Sequence, residues 1–163
     1  MKLSKITQRP ENLLLAMAFI MPLVFSVWMA LLNNFVIEKA HFTGTEIGIL
    51  QSLREVPGFL AFTVIYLLLF VKEQKLAIIS LFLTAIGVAA TGYFPTAFGL
   101  YITTIIMSIG FHYFETVNQS LTLQWINKDN TAHFMGRMLS AKSAASLLAF
   151  SSIWFLMEQF SWS

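Results

Sequence analysis

Between Gly99 and Trp125 the sequence reads GLYITTIIMSIGFHYFETVNQSLTLQW. At about 100° per residue, a helix here gathers Thr104, Ser108, His112, Glu115, Gln119 and Thr122 into an arc of about 80°. His112 and Glu115 stand one turn apart in the middle of an apolar run, where an ionisable side chain costs at least ~2.5 kcal/mol unless it is partnered or hydrated. An imidazole and a carboxyl so placed can pass a proton or hold a polar substrate. They can equally bond neighbouring helices and serve packing alone. Ile106, Ile109, Tyr113, Phe114, Val117 and Leu121 take the opposite side, which reads as the face for lipid.

A second set of charges, Arg54-Glu55, lies about nine residues into another apolar stretch, ~13 Å from its outer end. Arg54 could bind an anion or gate a cavity, or the two could form a salt bridge that only locks packing. Adjacent helical residues point about 100° apart, so both cannot face one cavity. Glu115 lies about 24 Å from the outer end of its own helix, so water or substrate would have to bridge it to Arg54. Asn33 and Asn34 could donate to a substrate or cap a helix at the interface, and Lys142 could reach a cavity or snorkel to headgroups. The candidate substrate or coupling residues are therefore Arg54, His112, Glu115, Gln119 and Asn34, with Gln119 preferred to its neighbour Asn118. One i, i+3 pair does not supply the three or four ligands of a metal site, and no cofactor is expected.

The elements that position these groups must lie in a bilayer. Of 163 residues, 57% are hydrophobic and 11% charged, sixteen are Phe, and the mean hydropathy is +0.72. Soluble domains carry about 25% charged residues. The net charge of +2 is too small and too scattered for a nucleic-acid partner. The absence of cysteine excludes disulfides, thiolate metal sites and Cys-linked lipid. Lys2, Lys5 and Arg9 precede an apolar run too long for a signal peptide, with no small-residue cleavage site after it, so the run reads as a retained anchor.

Five apolar stretches are long enough to cross a hydrocarbon core of ~30 Å, at about 13–36, 45–70, 76–93, 97–125 and 135–158. The chain therefore reads as an all-α polytopic transmembrane bundle in a single domain. Pro22 lies in the first span, and Thr43-Gly44-Thr45-Glu46 is a capping box opening the second, which Pro57 should kink. Lys72-Glu73-Gln74-Lys75 reads as a tight polar turn, and Asn127–His133 as the longest internal polar loop. Ala85 and Ala89 are the small residues of the third span. Ser140, Ala141, Ser143, Ala144, Ala145, Ser146 and Ala149 crowd the fifth, allowing close helix approach. Lys2, Lys5, Arg9, Lys72, Lys75, Lys128, Arg137 and Lys142 fall on one side of such a bundle and only Lys39 on the other, which puts the N-terminus in the cytoplasm and the protein in the plasma (inner) membrane.

This arrangement resembles the N-terminal part of a major facilitator superfamily transporter. The features carrying the resemblance are a cytoplasmic N-terminus, a second helix opening with Thr43-Gly44-Thr45-Glu46-Ile47-Gly48, a very short basic turn before the third, and a polar fourth helix leading to Gly136-Arg137 and a small-residue fifth. The loop Phe70-Val71-Lys72-Glu73-Gln74-Lys75 departs from the family pattern, lacking its usual glycines and aspartate. The resemblance implies a cavity lined by helices one, two, four and five, open alternately to each side. It also implies two halves of six helices, so that the chain is expected to be incomplete and to work with the remaining half. The expected function is secondary transport of a small solute by alternating access, with Glu115 as the candidate for proton coupling; the expected partners are the lipid bilayer, a small-molecule substrate and protons. The alternative is a five-helix membrane subunit that binds a partner chain through its polar face. No paired aspartates in separate helices and no nucleophilic serine motif mark an intramembrane enzyme.

Overall fold

Helix α1 is described over Pro10–Glu38 and carries Pro22 inside it. A computed structural model describes residues 10–159. Lys2, Lys5 and Arg9, on which the charge bias partly rests, lie outside the described residues, as does Ser161-Trp162-Ser163. Among the described residues 89% are helical and none is in a strand. Four helices are long and apolar enough to cross a membrane: α1, α4 (Glu73–Thr91), α5 (Ala97–Trp125) and α6 (Lys128–Gln159).

The stretch assigned to the second span is a jointed rod. Helix α2, Gly44–Phe59, begins at the capping box, where the Thr43 backbone N–H and hydroxyl both donate to Glu46 Oε2, at 2.7 and 3.0 Å. Pro57 has no N–H for the Leu53 carbonyl, and its ring crowds that turn. Three residues on, the backbone tightens into a 3-10 turn, Leu60–Thr63, before resuming as helix α3, Val64–Leu68. The Thr63 hydroxyl donates to the Leu60 carbonyl at 2.7 Å across the tight turn. The α-helix thus runs through Pro57, and its regular geometry gives way three residues on.

Two segments expected as loops are helical. Glu73, Gln74 and Lys75 form the first turn of α4, and only Lys72 is extended ahead of them. A carboxylate in a first helical turn is favoured by the helix dipole, so the polar run starts the helix. The expected loop 127–133 is likewise the start of α6. The Asn127 carbonyl accepts from the Asn130 N–H at 2.9 Å and from the Thr131 hydroxyl at 3.0 Å, with Asp129 in the first turn. Ile126 and Asn127 alone separate α5 from α6.

Contacts divide the chain into two units, Leu31–Asn118 and the described parts of Met1–Ala30 with Gln119–Ser163. In the first, α4 presents Ser80, Thr84, Gly87 and Thr91, all buried, to α5. A Cβ on Gly87 would lie 2.5 Å from the Met107 backbone nitrogen, and one on Gly110 would lie 2.5 Å from the Thr84 backbone nitrogen. These pairs run in opposite order along the two helices, so α4 and α5 are antiparallel with backbones nearly touching. Thr84 and Thr91 turn their hydroxyls back to the Ser80 and Gly87 carbonyls, at 3.0 and 2.9 Å. Ala85 and Ala89, the small residues singled out from sequence, are exposed instead.

In the second unit α1 buries Leu14, Met17, Ala18, Met21 and Trp28, and α6 buries Phe134, Met138, Ala145 and Ala149. The Ser26 hydroxyl donates to the Ser146 hydroxyl at 2.9 Å, an interhelical bond of the kind small polar residues make in lipid. The rest of α6 is uncovered, including Leu139, Leu147, Trp154 and Phe155. With Phe59, Phe62, Ile65, Leu69 and Phe70 also exposed, the apolar surface is far beyond what a water-soluble monomer carries. The chain is a membrane protein.

The α4–α5 contact is close enough to be tested by a single side chain. Gly110→Val should lower stability by about 1–3 kcal/mol through overpacking, read as a fall in apparent Tm in detergent, whereas Gly92→Ala, with open space around it, should leave Tm unchanged.

Candidate functional site

Beside the joint after α2, the polar side chains of α5 meet Arg54 and Glu55. Three contacts order the two elements: Ser108 with the Arg54 carbonyl, His112 with Gly58, and Tyr113 with Thr63. Residue numbers rise together on both sides, so the α2–α3 rod runs parallel to α5. The Ser108 hydroxyl donates to the Arg54 carbonyl one residue beyond the carbonyl that Pro57 leaves without its helical donor. The hydroxyl thus braces the turn next to the break without replacing the bond that Leu53 loses.

Gly58 explains why an imidazole can sit at this turn. A Cβ there would lie 2.7 Å from His112 Cε1, 3.0 Å from Nε2 and 3.1 Å from Nδ1. The ring therefore rests directly on the α2 backbone, in a notch that the missing side chain creates. The edge of Phe111 meets the same ring, with centroids 5.2 Å apart. A backbone hydrogen bond joins His112 to Arg54, and the charges of Glu55, Arg54 and Glu115 all act on the imidazole.

Arg54 and Glu55 pair with each other: Nε and Nη2 both donate to Glu55 Oε1, at 2.9 and 2.8 Å. The Arg54 side chain is 21% exposed and that of Glu55 62%. Neighbouring opposite charges make the pair neutral as a unit, which lowers the cost of half-burying the guanidinium. Arg54, Glu55, His112 and Glu115 thus form one electrostatic cluster, while Asn34 and Gln119 are both exposed and take no part in these hydrogen bonds.

The polar stripe of α5 does not face inward as a whole. Thr104, Ser108 and Thr122 are buried, His112 and Glu115 half-buried, and Gln119 exposed. The stripe therefore lies along the rim of the packed side. On the side assigned to lipid, Phe114, Val117 and Leu121 are instead among the most buried residues of the chain. Apolarity marks a packed face and a lipid face equally, so composition could not separate them.

Two features escaped the reading of the sequence. Tyr113, placed with the lipid-facing set, shares a 2.6 Å hydrogen bond with Thr63 at the end of the 3-10 turn. Thr104 Oγ1 and Gln51 Oε1 are buried with no hydrogen-bond partner. The Pro57-Gly58 dipeptide was the available signal for the notch, but nothing local named the helix that fills it. Comparisons with protein-family models, characterised proteins and solved structures found no match to this chain.

The notch sets a direct expectation. Gly58→Ala should drive the imidazole off the rod, raising the reactivity of His112 toward diethylpyrocarbonate several-fold while helix content by circular dichroism is kept. Tyr113→Phe should lower stability by about 0.5–1.5 kcal/mol, the net value of one hydrogen bond, in a denaturant or thermal titration.

Proposed function

We propose that the chain is part of a secondary transporter that moves a small polar solute by alternating access, arranged like the N-terminal portion of a major facilitator transporter. The observation that carries this reading is the convergence of Arg54, Glu55, His112 and Glu115 on a jointed helix. Ionisable groups held at membrane depth around a broken helix are what a polar solute or a proton needs to leave water partway across a bilayer. The Arg54–Glu55 pair opens to offer its guanidinium to an anionic or hydrogen-bond-accepting group. Glu115, next to the imidazole, carries the proton when transport is coupled to a gradient. The α2–α3 rod is the moving part, because its joint lacks a full ladder of helical hydrogen bonds.

The rod counts as a fifth crossing in this reading. Its 25 residues from Gly44 to Leu68 reach about 37 Å at 1.5 Å per residue, enough for the hydrocarbon core. Its direction, parallel to α5 and opposed to α4, is the one that alternating crossings require. The N-terminus and the basic Lys72, Lys75, Lys128 and Arg137 then face the cytoplasm. The uncovered length of α6 favours one competing reading, a membrane subunit whose α6 is covered by another chain.

Two measurements test this. Because the chain has no cysteine, Lys39→Cys and Lys72→Cys can be labelled singly in cells with a membrane-impermeant maleimide. Labelling of Lys39→Cys before permeabilisation, and of Lys72→Cys only after it, is expected; labelling of both from one side removes the fifth crossing. In a thermal-shift screen of the purified full-length protein against sugars, amino acids, carboxylates and organic cations, at least one class should raise Tm. Arg54→Ala or Glu115→Gln should abolish that shift. Failure of every class, with a partner chain copurifying in stoichiometric amount, favours the subunit.

A further inference from the structure

Thr104 is fully buried, yet its hydroxyl has no hydrogen-bond partner, and the same holds for Oε1 of Gln51. A buried polar atom left unpaired costs about 1–3 kcal/mol, so these two atoms on neighbouring helices call for an occupant. The parallel register of α2 and α5 relates them. Arg54 meets Ser108, and one helical turn toward the N-terminus of each helix brings the seam to Gln51 on α2 and Thr104 on α5. Leu50, beside Gln51, is buried as the same packing requires.

We propose that Gln51 and Thr104 form a polar subsite, one turn beyond Ser108, for an uncharged hydroxyl-bearing group. The group donates its O–H to Gln51 Oε1 and accepts the Thr104 O–H on its oxygen. An ordered water and a hydroxyl of the carried solute share this chemistry. No ionised side chain belongs to the subsite: Arg54 stands level with Ser108, and His112 lies one turn beyond it. Charge is thus handled at the joint and neutral hydrogen bonding one turn away. The solute arm rests on the transporter reading; the water arm stands without it.

The sign of a stability change decides the matter. Thr104→Val removes a hydroxyl while keeping its shape, and Gln51→Leu removes the amide. If the two atoms have no occupant, each substitution relieves an unpaired polar group and Tm rises or holds. If one group bridges them, each single substitution strands that group against the remaining partner. Tm then falls by several degrees in each, and the double variant falls by less than the sum. A rise, no change, or additive losses would overturn the proposal. Polyols added at millimolar concentration separate the sources. A Tm increase in wild type that is lost in Thr104→Val but retained in Leu123→Ala, an exposed control, assigns a solute hydroxyl. Absence of any polyol effect, alongside the non-additive losses, assigns water. Neither result depends on Arg54 or Glu115, so failure here is distinguishable from failure of solute shifts at the charged cluster.

Discussion

Every backbone polar group buried in a protein needs a partner, and one proline in α2 removes such a partner. The local arrangement around Pro57 follows from that deficit. The turn crowded by the pyrrolidine ring loosens, the chain tightens again at Leu60–Thr63, and α5 supplies donors alongside. Ser108 gives its hydroxyl to the Arg54 carbonyl, His112 lies against Gly58, and Tyr113 bonds Thr63 beyond the joint. A stripe of polar residues that reads at first as a substrate wall is in part a brace for a broken neighbour.

The packing on the other side of α5 makes such a brace useful. Gly87 and Gly110 let α4 and α5 approach until backbone meets backbone, and Ser80 and Thr84 line the same seam. Dense contact of this kind has few alternative arrangements, so α5 is held firmly by α4. The jointed rod has exposed aromatic and aliphatic residues from Phe59 to Phe70 and a 3-10 segment with weaker geometry. Motion is therefore cheaper in the rod than in α4 or α5.

The four long helices were legible because uninterrupted apolar runs have one reading at that length. The boundaries at Glu73 and Lys128 were not, because polarity was taken for loop, whereas polar residues begin helices readily when an acidic side chain sits in the first turn. Which face of α5 is inside was misread at Phe114, Val117 and Leu121, since lipid and protein interior select the same side chains. The α4 seam was missed for a related reason: Thr84 and Thr91 fold their hydroxyls onto their own helix and pack as small residues. Of the candidate site, His112, Glu115 and Arg54 were singled out by depth and charge alone. Their meeting at Gly58 depends on a register between residues 54 apart in sequence, as for Arg54 and Ser108, and no local pattern encodes it.

The central claim is that Ser108 serves the backbone that Pro57 opens. A double-mutant cycle in the full-length protein, with Pro57→Ala, Ser108→Ala and both together, measures it by denaturant titration. Ser108→Ala should lower stability by about 1 kcal/mol when Pro57 is present and by less when alanine restores the N–H to the Leu53 carbonyl and so closes the turn next to the Arg54 carbonyl. Equal losses in the two backgrounds would contradict the account, because the hydroxyl would then be serving something other than the break.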